Sequence, residues 1–311
     1  MFYLHKKEFD HIFEVYDESD KYIFLYCDIS KKDEMLNEYF DYFFNEEVMF
    51  NHFNYLHNMS FIPNKENYIK LYRELKKFLD EKNIIKLPFL QEDEEIINIL
   101  FEENVITTDE KSFEYNFDKS GKIGEYFFSI LLERFFNLKC VIPKAKYITN
   151  NNMSVHGIDV IYLREDDNLL YFGESKFTKN LYNGITQINK SLSSYEKMIS
   201  DEYELILTDM HAHMNIYKLY EIYGDYLSCS ISFKSFIDKA NIKEVCIPLF
   251  IAHGNEINAK DILKELDKIT KISVFNLETK YLIISLPIVD KDEFMRVISY
   301  KIAKRMLKYG E

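Results

Sequence analysis

The sequence predicts an α/β fold, with a helix, a three-stranded antiparallel sheet, a second helix and a further strand after an acidic, mostly helical N-terminal region. Three observations lead to this expectation. Apolar residues make up 47% of the 311-residue chain, which is enough for one large domain or two medium domains. After about residue 120 the apolar pattern switches between helical and strand spacing. The excess of acidic residues is confined to the first third of the chain.

The net charge divides the chain near residue 110. Residues 1–110 hold 25 acidic and 12 basic side chains, whereas residues 111–311 hold 27 of each. The total of −13 argues against a freestanding nucleic-acid-binding protein, because phosphate contacts need Lys and Arg. A neutral C-terminal part can still carry a local basic groove. The acidic region either solubilises the protein, which is the more common role, or docks a partner or masks the protein's own binding surface.

Other functional classes are excluded by what the sequence lacks. No apolar stretch approaches the roughly 18 residues that a membrane-spanning helix needs, and the N-terminus has no signal-peptide core. The four cysteines are scattered without a close pair, which indicates a reducing compartment. We therefore expect a cytoplasmic protein with no membrane contact. No nucleotide-binding glycine motif is present, so energy from ATP would have to come from another protein.

The N-terminal region begins with two strand-like runs, 9–16 and 22–28, whose turn-rich linker predicts a hairpin. Helical spacing follows over 33–57, 64–82 and 92–103. The polar residues 107–112 are the best candidate for a boundary. We accordingly expect a regulatory or partner-docking region at 1–110 and a second domain at 111–311.

The second domain has a different pattern of apolar residues, in which helical and strand-like spacing alternate. A helix is predicted at 121–136, followed by strands at 140–147, 155–163 and 169–177 and a helix at 184–199. Two further buried strands are predicted at 245–253 and 281–288, and a last helix at 290–308.

The turn from Arg164 to Asn168 contains no apolar residue, which favours an antiparallel hairpin. If residues 165–168 form the loop, Arg164 faces Leu169, and counting outwards brings Asp159 opposite Glu174. Cross-strand neighbours have Cβ atoms about 5 Å apart, and like charges there destabilise a sheet unless something compensates them. A divalent cation is the natural compensator.

This D…E-x-K pattern is typical of phosphodiester hydrolysis. Asp159 and Glu174 would hold Mg²⁺ or Mn²⁺, and Lys176, on the same strand face as Glu174, would orient the attacking water and steady the developing charge. The Ser175 carbonyl offers a further oxygen ligand, and Glu125, in the first turn of the preceding helix, could reach the same cluster. Gly121 and Gly124 would let that helix start lie close to the sheet.

Each residue also has an ordinary interpretation. A pattern as loose as D-x14-E-x-K often arises by chance, although here it lies within long apolar runs where a solvated acid would be out of place. Glu125 is explained equally well by the helix dipole. Gln187 could contact a phosphate but is as easily a surface amide. The His211–His213 pair lacks a third ligand, and the basic residues of the last helix complement the helix dipole.

Three segments together carry a resemblance to a known family. They are Gly121-x-x-Gly124-Glu125, His156-Gly157-Ile158-Asp159 and Gly173-Glu174-Ser175-Lys176. They resemble the C-terminal nuclease domain of the HamA family, the effector subunits of Hachiman anti-phage systems, within the PD-(D/E)xK nuclease superfamily. The resemblance covers about residues 111–311. Position 191 is Ser, so the Q-x-x-x-Y motif of the RecB-like branch is absent.

The resemblance implies a restriction-endonuclease-like core, DNA as substrate and a superfamily 2 helicase, HamB, as partner. It assigns catalytic roles to Asp159, Glu174 and Lys176 and an auxiliary role to Glu125. The leading hypothesis is a Mg²⁺-dependent deoxyribonuclease of low sequence specificity, restrained until a partner senses foreign or damaged DNA. The alternatives are a catalytically inactive nuclease fold that acts as a binding or regulatory module, and an accidental motif match.

Overall fold

A computed structural model of this chain describes part of its residues. These are residues 5–8, 14–18, 22–26, 32–49, 51, 80–88, 107–109, 112–116, 120–143, 160–164, 169–208, 214–254, 258–288, 290, 291, 293, 294, 297, 298 and 301. The chain divides into two compact units, one of residues 1–30 and 127–289 and one of residues 31–126 and 290–311. The expected boundary near residue 110 stays a prediction.

The larger unit contains a five-stranded mixed sheet. Its strands are β7 (Lys139–Pro143), β8 (Val160–Arg164), β9 (Leu169–Thr178), β10 (Glu244–His253) and β11 (Glu278–Pro287). They lie in the order β11-β10-β9-β8-β7. The pairs β7–β8 and β8–β9 are antiparallel, whereas β9, β10 and β11 run parallel to one another.

The expectation of an antiparallel sheet is therefore wrong for part of the sheet. It holds for the hairpin pairs around β8, but β9, β10 and β11 form a three-stranded parallel part. The parallel strands follow from their connections, since helices separate β9 from β10 and β10 from β11, and such crossovers return the chain in the same direction. Burial on both sides explains why β10 is apolar almost throughout, from Val245 to Ala252.

Helices cover one face of this sheet. They are α3 (Leu181–Leu192), α4 (Tyr195–Thr208), α5 (Met214–Ser228), α6 (Phe233–Ala240) and α7 (Ala259–Leu266). The predicted helix at 184–199 is thus two helices, separated at Ser193 and Ser194. In α3 the buried residues recur every three or four positions, and Asn180 caps its start by accepting from the Asn183 N–H. Among the described helices, none has the length and apolar content required to cross a bilayer.

The opposite sheet face packs against the C-terminal part of α2 (Ser120–Phe136), where the Phe128 and Phe250 rings stack at 5.6 Å. The predicted N-terminal hairpin is confirmed by β2 (Glu14–Glu18) and β3 (Tyr22–Tyr26), which pair with each other; β2 also pairs with a further strand, β1 (His5–Glu8).

The smaller unit contains a helix at the start of the predicted 33–57 segment and, in addition, strands that the sequence did not predict, so its described residues are mixed. It contains α1 (Lys32–Phe43) and a sheet of β4 (Asp80–Pro88), β5 (Thr107–Asp109) and β6 (Ser112–Asn116). Tyr126 donates from its hydroxyl to the Phe43 carbonyl at 2.6 Å, which joins α2 to α1 within this unit. The predicted helix at 92–103 and most of that at 64–82 lie outside the described residues.

Candidate active site

Strand β9 places the E-x-K residues in the middle of the sheet, between β8 and β10. Strand alternation puts Glu174 and Lys176 on the same face as Phe172, which packs into the core under α3 and α4. Ser175, between them, projects to the other face. The two-residue period of the strand thus places Glu174 and Lys176 on one face, as the sequence predicted.

Glu174 is a buried carboxylate whose two oxygens differ in their surroundings. Its side chain is only 3% exposed. Oε1 accepts a hydrogen bond from Ser191 Oγ at 2.9 Å and forms an ion pair with Lys176 Nζ. Oε2 is buried and has no hydrogen-bond partner among the residues that the structure describes. A buried acceptor without a partner costs about 1–3 kcal/mol, and more when it is charged, so Oε2 is an atom that a ligand would stabilise.

Oε2 of Glu174 is an oxygen donor of the type that hard divalent cations bind. Carboxylate and carbonyl oxygens are the ligands that Mg²⁺ and Mn²⁺ prefer. Glu174 supplies the carboxylate, and Lys176 offsets part of its charge from the other oxygen. Within the described ranges, no cluster of three or more His, Cys, Asp or Glu side chains forms a complete metal site. Glu174 is thus the one predicted metal ligand for which the described residues show a free oxygen.

The predicted hairpin register is confirmed as far as the structure describes it. Arg164 pairs with Leu169, Ile161 pairs with Phe172, and the last described pair is Val160 with Gly173. Asp159 directly precedes Val160 in the sequence and lies outside the described residues. Its position opposite Glu174 stays a prediction that the observed register supports.

Two points of contact hold α3 and the start of α4 against β9. At Gly184 an added Cβ would lie 2.5 Å from Ile251 Cγ2 and 3.1 Å from Thr178 Oγ1, so α3 approaches the sheet as closely as only glycine allows. At the start of α4, the Tyr195 hydroxyl donates to the Phe172 carbonyl at 2.6 Å. Ser191 lies between these two points and reaches Glu174.

The Tyr195 contact falls where the sheet itself is interrupted. The pairing of β9 with β10 includes Tyr171–Cys246 and Glu174–Leu249 but omits Ile247 and Pro248 between them. A proline has no N–H to donate to a neighbouring strand. Tyr195 supplies a donor to β9 in this interval, two residues before Glu174.

The remaining predicted residues have mixed outcomes. Glu125 is the sixth residue of α2 and half-buried, so it lies in the second helical turn rather than the first. A Cβ on Gly121 would meet open space, so that glycine does not serve a close approach. Glu125 belongs to the smaller unit, and its reach to Glu174 stays a prediction. Gln187 is exposed, and His156, His211 and His213 lie outside the described residues.

A second buried polar pair lies at the carboxyl end of β10. His253 Nε2 is 2.8 Å from the Ser285 hydroxyl, and both residues are fully buried. Burial lowers the pKa of His253 to about 3, so the ring is neutral at physiological pH.

Comparison with known families shows the family to which the chain belongs. The family model of HamA matches residues 4–302. This chain belongs to the HamA family. No curated protein and no solved structure matches it. The HamA match includes the first third, where the sequence showed no recognisable motif, so both the acidic region and the E-x-K domain are parts of one family architecture. Membership of the HamA family indicates a role in Hachiman anti-phage defence.

Sequence reasoning missed two residues of this candidate site. Ser191 was noted only because a tyrosine motif is absent there, and Tyr195 was read as part of a single long helix. Their contacts with β9 join residues that are 17 and 23 positions apart in the chain. A hint was present in the two consecutive serines, Ser193 and Ser194, which separate the helices and so place Tyr195 at the start of α4.

Proposed function

We propose that this HamA-family protein is the metal-dependent DNA nuclease effector of a Hachiman defence system. The observation that carries the proposal is the buried Glu174, with one oxygen occupied by Ser191 and Lys176 and the other without a partner among the described residues. A buried carboxylate with one free oxygen, two positions from a lysine on the same strand face, suits an enzyme that binds a hard cation next to a phosphodiester.

Each residue would contribute separately to hydrolysis. A bound Mg²⁺ or Mn²⁺ polarises the phosphate and lowers the pKa of water. Glu174 would hold the ion through Oε2, with Asp159, the Ser175 carbonyl and Glu125 as further ligands. Lys176, whose side chain is 20% exposed, can reach solvent and would orient the attacking water and offset charge that develops on the phosphate. The restriction-endonuclease-like arrangement of these residues is part of this proposal.

The charge distribution supports a partner-dependent enzyme, and low sequence specificity is a further part of the proposal. The acidic residues 1–110 repel a DNA backbone and would restrain the nuclease or dock a superfamily 2 helicase of the HamB type. The sequence carries no P-loop, so unwinding would depend on that helicase.

The test is degradation of plasmid and linear DNA with Mg²⁺ or Mn²⁺, in the presence and absence of any helicase that is encoded beside the protein. We expect Glu174→Gln and Lys176→Ala each to lower the cleavage rate by about a hundredfold or more, because each removes several kcal/mol of transition-state stabilisation. Glu265→Gln is the matched control, since Glu265 forms an ion pair with Lys268 on α7, away from β9.

Cleavage that survives both substitutions would contradict the assignment. If the wild-type protein cleaves no nucleic acid with or without the helicase and binds neither ion, the alternative of an inactive binding module is favoured instead.

A further inference from the structure

The hydroxyl of Ser191 stands out because it is the neutral partner of the proposed metal ligand. It donates to Glu174 Oε1 at 2.9 Å, on the carboxylate that leaves Oε2 without a partner among the described residues. A carboxylate held at one oxygen by both a lysine and a hydroxyl cannot rotate without losing a hydrogen bond. The second oxygen is thereby kept in one orientation.

The backbone around Ser191 is fixed from both directions. Towards the N-terminus, Gly184 brings α3 into contact with Ile251 and Thr178. Towards the C-terminus, the Ser191 carbonyl accepts from the Ser194 N–H at 3.1 Å and from the Ser194 hydroxyl at 3.2 Å. Tyr195 then bonds to the carbonyl of Phe172. A side chain between two such fixed points has little freedom to leave its partner.

We propose that Ser191 is a positioning residue that orients Glu174 for divalent-cation binding, an inference that rests on the proposed nuclease function. Without the hydroxyl, the carboxylate can turn so that Lys176 engages both oxygens, and the cation then competes with the lysine. Groups that orient a metal ligand in this way typically alter metal affinity or activity by about 10- to 100-fold.

The experiment measures Mn²⁺ binding to the full-length protein by isothermal titration calorimetry, without DNA. We expect Ser191→Ala to raise the dissociation constant for Mn²⁺ by about 10- to 100-fold. Ser191→Thr keeps the hydroxyl and should bind Mn²⁺ within a few-fold of the wild-type protein. Ser200→Ala is the matched control, because the Ser200 hydroxyl bonds only to the Glu196 carbonyl one helical turn away.

A second measurement separates positioning from a purely structural role. In the cleavage assay, Ser191→Ala should need a higher Mn²⁺ concentration for half-maximal rate but approach the wild-type rate at saturating Mn²⁺. A structural role would instead lower the thermal midpoint in EDTA while leaving the Mn²⁺ dissociation constant unchanged, and that result would overturn the inference.

The two proposals fail in different ways. If the wild-type protein binds Mn²⁺ and Glu174→Gln abolishes the binding, but Ser191→Ala binds like the wild type, only the positioning role is refuted. If the wild-type protein binds no Mn²⁺, or binds it equally after Glu174→Gln, both the metal site and the role of Ser191 are refuted.

Discussion

Replacing Gly184 by alanine tests how tightly α3 is held against the sheet. The new methyl group would lie 2.5 Å from Ile251 Cγ2 and 3.1 Å from Thr178 Oγ1, both buried residues. Ordinary carbon contacts are about 3.5–4.0 Å, so the helix or the strand must move by about 1 Å. Overpacking of this kind costs about 1–3 kcal/mol, whereas alanine in a helix gains about 1 kcal/mol over glycine. We expect a net loss of up to about 2 kcal/mol.

Gly224→Ala is the internal comparison for this substitution. Gly224 is also helical, but the three atoms nearest to its added Cβ would all belong to the ring of Tyr220, which is 36% exposed and can turn towards solvent. The helix-propensity gain should then dominate, giving no loss or a gain of up to about 1 kcal/mol. Urea unfolding followed by circular dichroism measures both variants. Equal effects, or stabilisation by Gly184→Ala, would refute the close approach of α3 to β9 and β10.

Two further predictions concern buried polar groups. Tyr195→Phe removes only the hydroxyl that serves the Phe172 carbonyl and should cost about 1–3 kcal/mol, whereas Tyr182→Phe, 64% exposed, should change stability by less than about 0.5 kcal/mol in urea unfolding. His253 has a folded-state pKa of about 3 against about 6.5 unfolded, so between these values only the unfolded state binds the proton. Stability should therefore fall by about 2 kcal/mol from pH 7 to pH 5, and His253→Gln should lose this contribution; an unchanged pH dependence would contradict the prediction.

The hairpin around residues 165–168 could be predicted from the sequence in detail. Its polar turn and flanking apolar runs fixed which residues pair, and the observed register agrees from Arg164–Leu169 to Val160–Gly173. This worked because both determinants are local, the turn length and the two-residue strand period. The same locality placed Glu174 and Lys176 on one face.

The β4–β6–β5 sheet could not be predicted in the same way. β4 has only a short apolar run at Ile84, Ile85 and Leu87, and β6 alternates polar and aromatic residues over only five positions, so both signals are short. Their pairing depends on a contact between segments that are distant in the chain. The Ser191 contact was missed for a related reason, since it depends on how α3 crosses β9, which helical periodicity does not specify.

The proline in β10 has a consequence for how the parallel strands find their alignment. Every residue from Val245 to His253 is buried, and so uniform an apolar strand discriminates weakly between alignments that are shifted by two residues. A two-residue slip keeps each side chain on its face, but it carries Pro248 away from the interval in which Tyr195 provides a donor to β9. In the shifted alignment, another buried carbonyl would face Pro248 and would lack a hydrogen-bond donor. The missing N–H thus disfavours this shift relative to the alignment in which Leu249 lies beside Glu174.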